Sequence, residues 1–197
     1  MTIGRTGGRQ RSSSARQAVL CATAELLDEQ GYGKITIEGV AARSGVAKST
    51  IYRWWKSKPA LVMEAQAEAV AQRMPEPDTG SVEADLIAFA AALYRVVEFP
   101  LRVEALRGMM AEAQLDSDFA GHFREWVQSR RKVMSDILSR GVARGELAAD
   151  LDLDHATDLI FGPFWYRLLV AHAPLDPADA PAHITRLLAG LRRPSVG

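Results

Sequence analysis

Residues 36–58 read Thr36-Ile-Glu-Gly-Val-Ala-Ala-Arg-Ser-Gly-Val-Ala-Lys-Ser-Thr-Ile-Tyr-Arg-Trp-Trp-Lys-Ser-Lys58. This segment predicts two short helices, because Thr36 is a good N-cap for the first and Gly45 tolerates the backbone conformation of a tight turn after it. Apolar residues at helical spacing would form a small core shared by the two helices. They are Val40, Ala41, Val46, Ile51 and Trp55. The segment therefore predicts a helix-turn-helix.

The second of these helices presents short hydrogen-bonding, basic and aromatic side chains on its outer face. The set comprises Lys48, Ser49, Thr50, Tyr52, Arg53 and Trp54. A helix that enters the major groove needs such groups to contact base edges and phosphates. Any one of them alone is an ordinary exposed residue, but together they predict a DNA-binding surface.

The charge of the chain is unevenly distributed although its net value is zero. Residues 1–60 hold ten Lys and Arg residues against four acidic ones, a net charge of +6, and residues 61–197 balance them with −6. A basic third on a neutral protein favours a polyanionic partner. On charge alone, a solubilising surface is an equal alternative.

Helical periodicity continues along the rest of the chain without a segment of strand period, so the fold class is predicted to be all-α with about nine helices. Residues 1–13 are rich in Gly, Ser and Arg and predict a disordered basic arm. Residues 14–58 would form a three-helix DNA-binding domain that begins with Ser14 as N-cap. Residues 59–80 would form a connecting helix and a Pro-containing linker, and residues 81–197 a helical C-terminal domain.

Residues 14–62 resemble the N-terminal domain of the TetR family of transcription regulators. The resemblance is carried by Gly31-Tyr32 at the end of the first helix, by Thr36, by Thr50-Ile51-Tyr52 and by Trp55, and it closes with Lys58-x-x-Leu61. About ten positions match in register without a gap. Ala47 departs from the pattern, because such proteins often have Ser as the cap of the recognition helix.

The resemblance implies a role for each matching residue. Lys48, Ser49 and Thr50 would face the major groove. Tyr52 and Lys58 would bind phosphates, helped by Thr36 at the N-terminus of the second helix. The full set of expected DNA-binding residues is Thr36, Arg43, Lys48, Ser49, Thr50, Tyr52, Arg53, Trp54 and Lys58. The arginines of the N-terminal arm, Arg5, Arg9 and Arg11, would reach along the duplex.

The C-terminal domain resembles the effector-binding and dimerisation domain of the same family through Ala143-Arg-Gly-Glu-Leu147 and Phe161-Gly-Pro-Phe-Trp-Tyr-Arg167. In that family the last two long helices pair with their copies. The expected dimer interface is Leu168, Ile184, Leu187, Leu188 and Leu191, with an intramolecular core as the alternative. The expected effector site is Phe89, Leu93, Tyr94, Met110, Phe123, Trp126, Phe164 and Trp165, again with ordinary core as the alternative. Such a lining suits an apolar or aromatic small molecule.

These observations predict a cytoplasmic homodimer that binds a palindromic operator in double-stranded DNA and acts as a transcriptional repressor modulated by a small molecule. The alternative is an all-α small-molecule-binding or enzymatic bundle with an incidental helix-turn-helix-like segment. No catalytic residues, metal ligands or cofactor site are expected. No run of about 18 uncharged apolar residues is present, which predicts no membrane span. The single cysteine, Cys21, excludes an internal disulfide and is expected in the core of the first helix.

Overall fold

The computed structural model describes the backbone from Thr6 to Leu191 and the side chains of residues 12–191. Over that range the protein consists of helices and connecting segments, without a strand, and the predicted all-α class with about nine helices is confirmed. The α-helices are α1 (Thr6–Gln30), α2 (Ile37–Ser44), α3 (Lys48–Trp54), α4 (Lys58–Arg73), α5 (Val82–Tyr94), α6 (Pro100–Leu115), α7 (Ser117–Ala143), α8 (Leu153–Val170) and α9 (Ala180–Leu191). None of the described helices has the length and hydropathy of a membrane-spanning segment.

The helices form two compact units. The first is built from the chain up to Gln72 together with Glu104–Arg124, and the second from Arg73–Val103 together with the chain from Glu125 onward. This division differs from the boundary predicted at residue 81, because the end of α6 and the start of α7 pack with the N-terminal helices. Tyr32, just after α1, packs its ring edge-on against Phe119 at 5.6 Å between centroids.

Helix α1 begins well before the predicted N-cap. Ser14 lies inside the helix, and the part of the predicted disordered arm from Thr6 to Ser13 has helical backbone. No proline interrupts this segment, and Arg and Gln propagate a helix well, so the helix that packs from Val19 onward extends back through it. Arg5 and the side chains of Arg9 and Arg11 lie outside the described residues, so their predicted reach along DNA remains a prediction.

Cys21 is exposed on α1, contrary to the prediction that it lies in the core. The buried face of this part of the helix carries Val19, Leu20 and Thr23. Cys21 projects away from that face, where Gln17 Nε2 approaches its Sγ at 3.7 Å. Apolar neighbours in the chain therefore did not indicate burial, because successive residues of a helix point in directions about 100° apart.

In the C-terminal unit, the turn after α7 packs against the start of α5. Glu146, in the turn after α7, accepts a hydrogen bond from the backbone N–H of Val82 at 2.8 Å and so satisfies a free donor of the first turn of α5. Leu147 is buried beside it. These contacts give a structural reason for the Ala143–Leu147 segment: it links the end of α7 to the beginning of α5.

A buried carboxylate fixes the linker that precedes α5. Asp85 is fully buried, and its Oδ1 accepts hydrogen bonds from the backbone N–H and the hydroxyl of Thr79 at 2.8 and 2.7 Å. Arg140 of α7 donates from Nη2 to the carbonyl of Pro77 at 2.6 Å and pairs with Asp78 at 3.2 Å. The predicted linker is thus irregular in backbone but held by specific polar contacts.

We predict that Gly141→Ala destabilises the C-terminal unit by about 1–3 kcal/mol, the usual cost of overpacking a core. A Cβ at Gly141 would lie 2.7 Å from Cγ2 and 2.9 Å from Cβ of Val82, so the contact between α5 and α7 must open. Denaturant unfolding measures the effect. The matched control is Gly121→Ala in the same helix, where no atom lies within 4 Å and the helix propensity of alanine should raise stability by up to about 1 kcal/mol. Equal effects of the two substitutions would contradict the close α5–α7 packing.

Candidate nucleic-acid interface

Helices α2 and α3 form the predicted helix-turn-helix. The hydroxyl of Thr36 accepts a hydrogen bond from the N–H of Gly39 at 3.0 Å, which confirms Thr36 as the N-cap of α2. Gly45 ends α2 in the left-handed region with φ of 70°, a conformation that glycine adopts without strain. Ala47 precedes α3 and makes no side-chain cap, consistent with the absence of the serine that is common there.

The core between the two helices is largely as predicted. Val40 and Ile51 are completely buried, and Trp55 is buried at the end of α3. Ala41 and Val46 are half-buried. Burial of these apolar side chains fixes the angle between α2 and α3, and with it the direction of the outer face of α3.

Trp55 is held from two other helices of the N-terminal unit. Its Nε1 donates to Glu64 Oε2 of α4 at 2.7 Å, and the guanidinium of Arg16 from α1 lies 4.9 Å from its ring centroid. Arg16 also pairs with Glu64 at 2.5 Å. The end of the recognition helix is therefore fixed by stacking, a charge-assisted hydrogen bond and an ion pair at the same time.

The outer face of α3 presents most of the predicted DNA-binding residues. Lys48, Ser49, Tyr52 and Arg53 are exposed, while Thr50, Trp54 and Lys58 are half-buried. The Arg53 guanidinium lies 5.9 Å from the Trp54 ring centroid. All of these predicted residues except Lys58, the first residue of α4, lie on α3. They supply donors, acceptors and aromatic rings on a helix of the size that a major groove admits.

Lys48 forms an ion pair across the turn between the two helices. Its Nζ lies 2.8 Å from Oε1 of Glu38, which occupies the first turn of α2. The hydrogen bond to Lys48 lowers the pKa of Glu38, and the same bond raises the pKa of Lys48. Both groups therefore stay charged around neutral pH, and each neutralises the other on the exposed surface.

Arg43 of α2 forms ion pairs with carboxylates of α1. Its guanidinium donates to both carboxylate oxygens of Glu29 on α1, at 2.9 and 2.7 Å, and approaches Glu25 at 3.3 Å. The bond to Arg43 lowers the pKa of Glu29. This bidentate ion pair attaches α2 to α1, and the contact of Arg43 with DNA stays a prediction.

Lys58 lies next to Tyr32, between the helix-turn-helix and the rest of the N-terminal unit. Its Nζ is 4.4 Å from the Tyr32 ring centroid and 3.5 Å from the Tyr32 carbonyl oxygen. Burial, together with Glu112 and Asp116, raises the pKa of Tyr32 to about 12, so the ring stays neutral. The ammonium of Lys58 has no carboxylate partner among these contacts.

The predicted effector residues lie in both units. Met110 is half-buried and Phe123 buried in the N-terminal unit, and the other six belong to the C-terminal unit. Trp165 lies edge-on to Trp126 at 6.4 Å and to Phe164 at 5.2 Å, which makes these three an aromatic cluster.

The remaining three predicted effector residues are Phe89, Leu93 and Tyr94, and the contacts described for them are with residues outside this cluster. Phe89 contacts the Phe161 ring at 5.8 Å, and Leu93 is half-buried. The Tyr94 hydroxyl forms a hydrogen bond of 2.6 Å with His183 Nδ1. The polar contact of Tyr94 is one that the sequence did not indicate, because His183 lies on a different helix.

The predicted dimer interface needs correction. Leu168, Ile184 and Leu188 are 2%, 0% and 0% exposed, so they belong to the core of a single chain and cannot reach a partner. Leu187 and Leu191 are half-buried. The physical reason differs between the two helices. Helix α8 is apolar on almost every side, so its sequence did not indicate which side faces inward, whereas α9 turns its apolar stripe of Ile184 and Leu188 into the core of its own chain.

An apolar face of α8 is exposed instead. Its members are Leu159, Tyr166, Leu169 and Val170, whose exposure ranges from 39% to 59%. Leu159, Leu169 and Val170 are separated from Tyr166 by seven, three and four residues, and this spacing places them on one side of the helix. Gly162 lies on the same side, and a Cβ there would meet no atom within 4 Å. Glycine in an exposed helix interior costs stability but permits close approach of another helix backbone.

An all-α chain whose N-terminal unit presents an exposed recognition helix on a capped helix-turn-helix is, by class, a DNA-binding regulator. Residues 19–65 match the family described as "Bacterial regulatory proteins, tetR family", and residues 76–187 match the family described as "Tetracyclin repressor-like, C-terminal domain". The chain is 35% identical over 164 residues to the HTH-type transcriptional regulator YdeS of Bacillus subtilis, covering 83% of this chain and 82% of that protein.

Two further proteins of the same family are similar to this chain. The DNA-binding transcriptional repressor TetR of Mycobacteroides abscessus is 29% identical over 188 residues, covering 93% of this chain and 97% of its own. The crystal structure of the TetR family transcription regulator SCO0332 matches with a TM-score of 0.83 and 35% identity, covering 91% of this chain and 99% of that one. The chain belongs to the TetR family of transcription regulators. It is a DNA-binding transcriptional regulator and not an enzyme, which decides against the alternative of an enzymatic bundle.

Two contacts of this surface are not indicated by the sequence patterns. They are the ion pair between Glu38 and Lys48 and the contact between Tyr32 and Lys58. The signal for Glu38 is a carboxylate in the first turn of α2, where a negative charge is favoured by the helix dipole. Its proximity to Lys48 depends on the angle between α2 and α3, which the sequence does not state.

Proposed function

We propose that the protein is a homodimeric repressor that inserts one copy of α3 into each of two successive major grooves of a palindromic operator. Lys48, Ser49 and Thr50 contact base edges there. Thr36, Tyr52 and Lys58 bind phosphates on either side of the groove. The protein acts in the cytoplasm, where its operator lies. The observation that carries this proposal is the exposed face of α3, oriented by the buried Val40, Ile51 and Trp55.

The dimer in this proposal forms through the exposed apolar face of α8. Four large apolar side chains on one side of a helix are an unusual exposure for an isolated chain. Ala182, Ala189 and Gly190 give the exposed side of α9 small side chains. TetR-family regulators act as dimers, and a palindromic site requires two recognition helices. The two helices named by the prediction are therefore retained, while the contacting residues change from Leu168 and Leu188 to Tyr166 and Leu169.

The effector in this proposal is a small apolar or aromatic molecule that contacts the Trp126, Phe164 and Trp165 cluster. Aromatic side chains supply large apolar contact areas for such ligands. The Tyr94 and His183 pair adds a polar group within the same unit. Binding of the effector and binding of the operator favour different conformations, so the effector lowers operator affinity by shifting the population.

We predict that Lys58→Ala weakens binding by a similar factor for every duplex, because it removes a phosphate contact. The slope of log K against log salt should become shallower by about 0.9 for each phosphate contact that is lost. Lys58→Arg should retain most of the affinity, since it keeps the charge. Quantitative binding to the operator and to a scrambled duplex across salt concentrations measures both effects.

The Thr50→Ala variant tests a predicted base contact in the same way as Lys58→Ala tests a phosphate contact. Thr50 is predicted to contact a base edge, so its substitution should alter the preference between operators that differ at one base pair and leave the salt slope unchanged. A uniform loss for both Lys58→Ala and Thr50→Ala would mean that the recognition surface has been assigned wrongly.

A further inference from the structure

The Glu38–Lys48 ion pair lies on the exposed surface of the helix-turn-helix itself. The side chains of Lys48 and Glu38 are 52% and 66% exposed, and their charged atoms are 2.8 Å apart. Lys48 is the first residue of α3, and Glu38 belongs to the first turn of α2. A donor from one helix and an acceptor from the other are thus presented side by side at the start of the recognition helix.

The carboxylate of Glu38 indicates that this ion pair does more than increase the affinity for DNA. Phosphates repel a carboxylate, so a surface that only needed affinity for DNA would do better with Lys48 unpaired. Arg43 is also paired with carboxylates, but those belong to α1, and Lys58 lies against the ring and carbonyl of Tyr32. Glu38 is the acidic residue within the motif from Thr36 to Lys58, and it pairs with the lysine that begins α3.

The ion pair restricts the position of the Lys48 ammonium, which can give it specificity for a base. A lysine ammonium is a compact charge on a flexible stem, and alone it would exchange among phosphates and bases. The bond to Glu38 uses one of its three N–H groups and leaves two, while the carboxylate keeps free lone pairs. In the major groove a G·C pair presents acceptors on guanine N7 and O6 beside a donor on cytosine N4. The two remaining N–H groups of Lys48 and the Glu38 carboxylate offer two donors followed by an acceptor, which complements guanine N7, guanine O6 and cytosine N4 in turn. An A·T pair instead presents an acceptor, a donor and an acceptor.

We infer that Glu38 and Lys48 act as one neutral unit that reads a G·C base pair in each half-site, with Lys48 donating to guanine and Glu38 accepting from the cytosine amino group. This inference rests on the proposed function, since it requires α3 to enter the major groove. Lys48 is then a base-reading residue with little share in phosphate binding, and Glu38 both positions Lys48 and contacts the base pair.

The test is a base-pair scan of an operator selected from genomic fragments, using wild type, Glu38→Gln, Lys48→Met and the double variant. In wild type, one G·C pair in each half-site should cost about tenfold or more in affinity when replaced by A·T, the discrimination of one good base contact. All three variants should lose this discrimination at that position and keep it elsewhere. Thermal unfolding checks that the variants fold, and Glu98→Gln, on the C-terminal unit, is a charge-matched control that should leave the scan unchanged.

Salt dependence separates base reading from phosphate binding. The double variant removes a pair of zero net charge, so its slope of log K against log salt should equal that of wild type. A slope shallower by about 1.8, which is about 0.9 for the Lys48 of each protomer, would mean that Lys48 binds a phosphate and would overturn the inference. A uniform loss of affinity at every position of the scan would also overturn it. If wild type itself shows no preference for the operator over a scrambled duplex, the proposed function fails instead.

Discussion

Leu169→Glu is expected to convert the dimer into monomers. Leu169 is 41% exposed on α8, in the apolar face that also contains Leu159, Tyr166 and Val170. In a two-fold interface formed by this face, each substitution introduces two like charges into a desolvated surface, where unpaired charges are strongly unfavourable. Sedimentation equilibrium should show a mass of one chain for the variant and of two chains for the wild type.

The consequence for DNA binding should be large. A dimer binds its second half-site as an intramolecular event, which typically adds a factor of about 10²–10⁴ to the affinity. Leu169→Glu should lose most of this factor for a palindromic operator while its binding to an isolated half-site changes little. The monomeric variant should still unfold cooperatively, because Leu169 is not part of the core, but it lacks the stabilisation that association gives the wild-type dimer.

The matched control is Leu115→Glu, which makes the same substitution at the end of α6. Leu115 is 85% exposed and lies outside the proposed interface. This variant should remain dimeric and bind the operator as wild type does. If Leu169→Glu remains dimeric, the chain associates through a surface other than this face of α8. If Leu115→Glu is monomeric, the interface includes the end of α6 instead.

Trp55→Ala should have the largest effect on the stability of the DNA-binding unit. Truncating a buried aromatic residue to alanine typically costs about 3–5 kcal/mol. Trp55 is 4% exposed, and its ring and N–H hold the end of α3 against Arg16 and Glu64. Denaturant unfolding should show the loss, and operator affinity should fall steeply because the orientation of α3 is no longer fixed.

Trp55→Phe separates the ring from its hydrogen bond. Phenylalanine keeps most of the apolar contact and the stacking with Arg16, but removes the donor to Glu64. A hydrogen bond to a charged group is worth about 1.5–3 kcal/mol, so the loss should be smaller than for alanine, and DNA binding should largely survive. An unfolding free energy of Trp55→Ala equal to that of wild type would contradict the role of Trp55 in fixing α3.

The helix-turn-helix was predictable because its determinants are local. Thr36 caps α2 through the N–H three residues further along, and Gly45 supplies the conformation that ends α2. The irregular linker before α5 was equally predictable from the sequence of Met74 to Gly80, since two prolines and a glycine within seven residues strongly disfavour a helix. Each of these signals acts within a few residues of the chain and does not depend on tertiary structure.

The contacts between distant segments were not predictable from the same patterns. Helix α8 is apolar on nearly all sides, so the sequence could not distinguish buried Leu168 from its exposed neighbour Leu169. The packing of Tyr32 against Phe119 joins residues far apart in the chain and depends on how helices pack. Arg43 illustrates a third case, in which an exposed arginine suited to DNA is engaged by Glu29 on another helix.

The central claim is that the exposed face of α3 reads a specific DNA sequence on behalf of a dimer. The most direct test is the affinity of the wild-type protein for a duplex from the region upstream of its own gene, compared with a scrambled duplex across salt concentrations. We expect a preference of about 10³ or more for the upstream duplex, with log K falling steeply as log salt rises. Equal affinity for the two duplexes, or no binding to either at low salt, would contradict the claim.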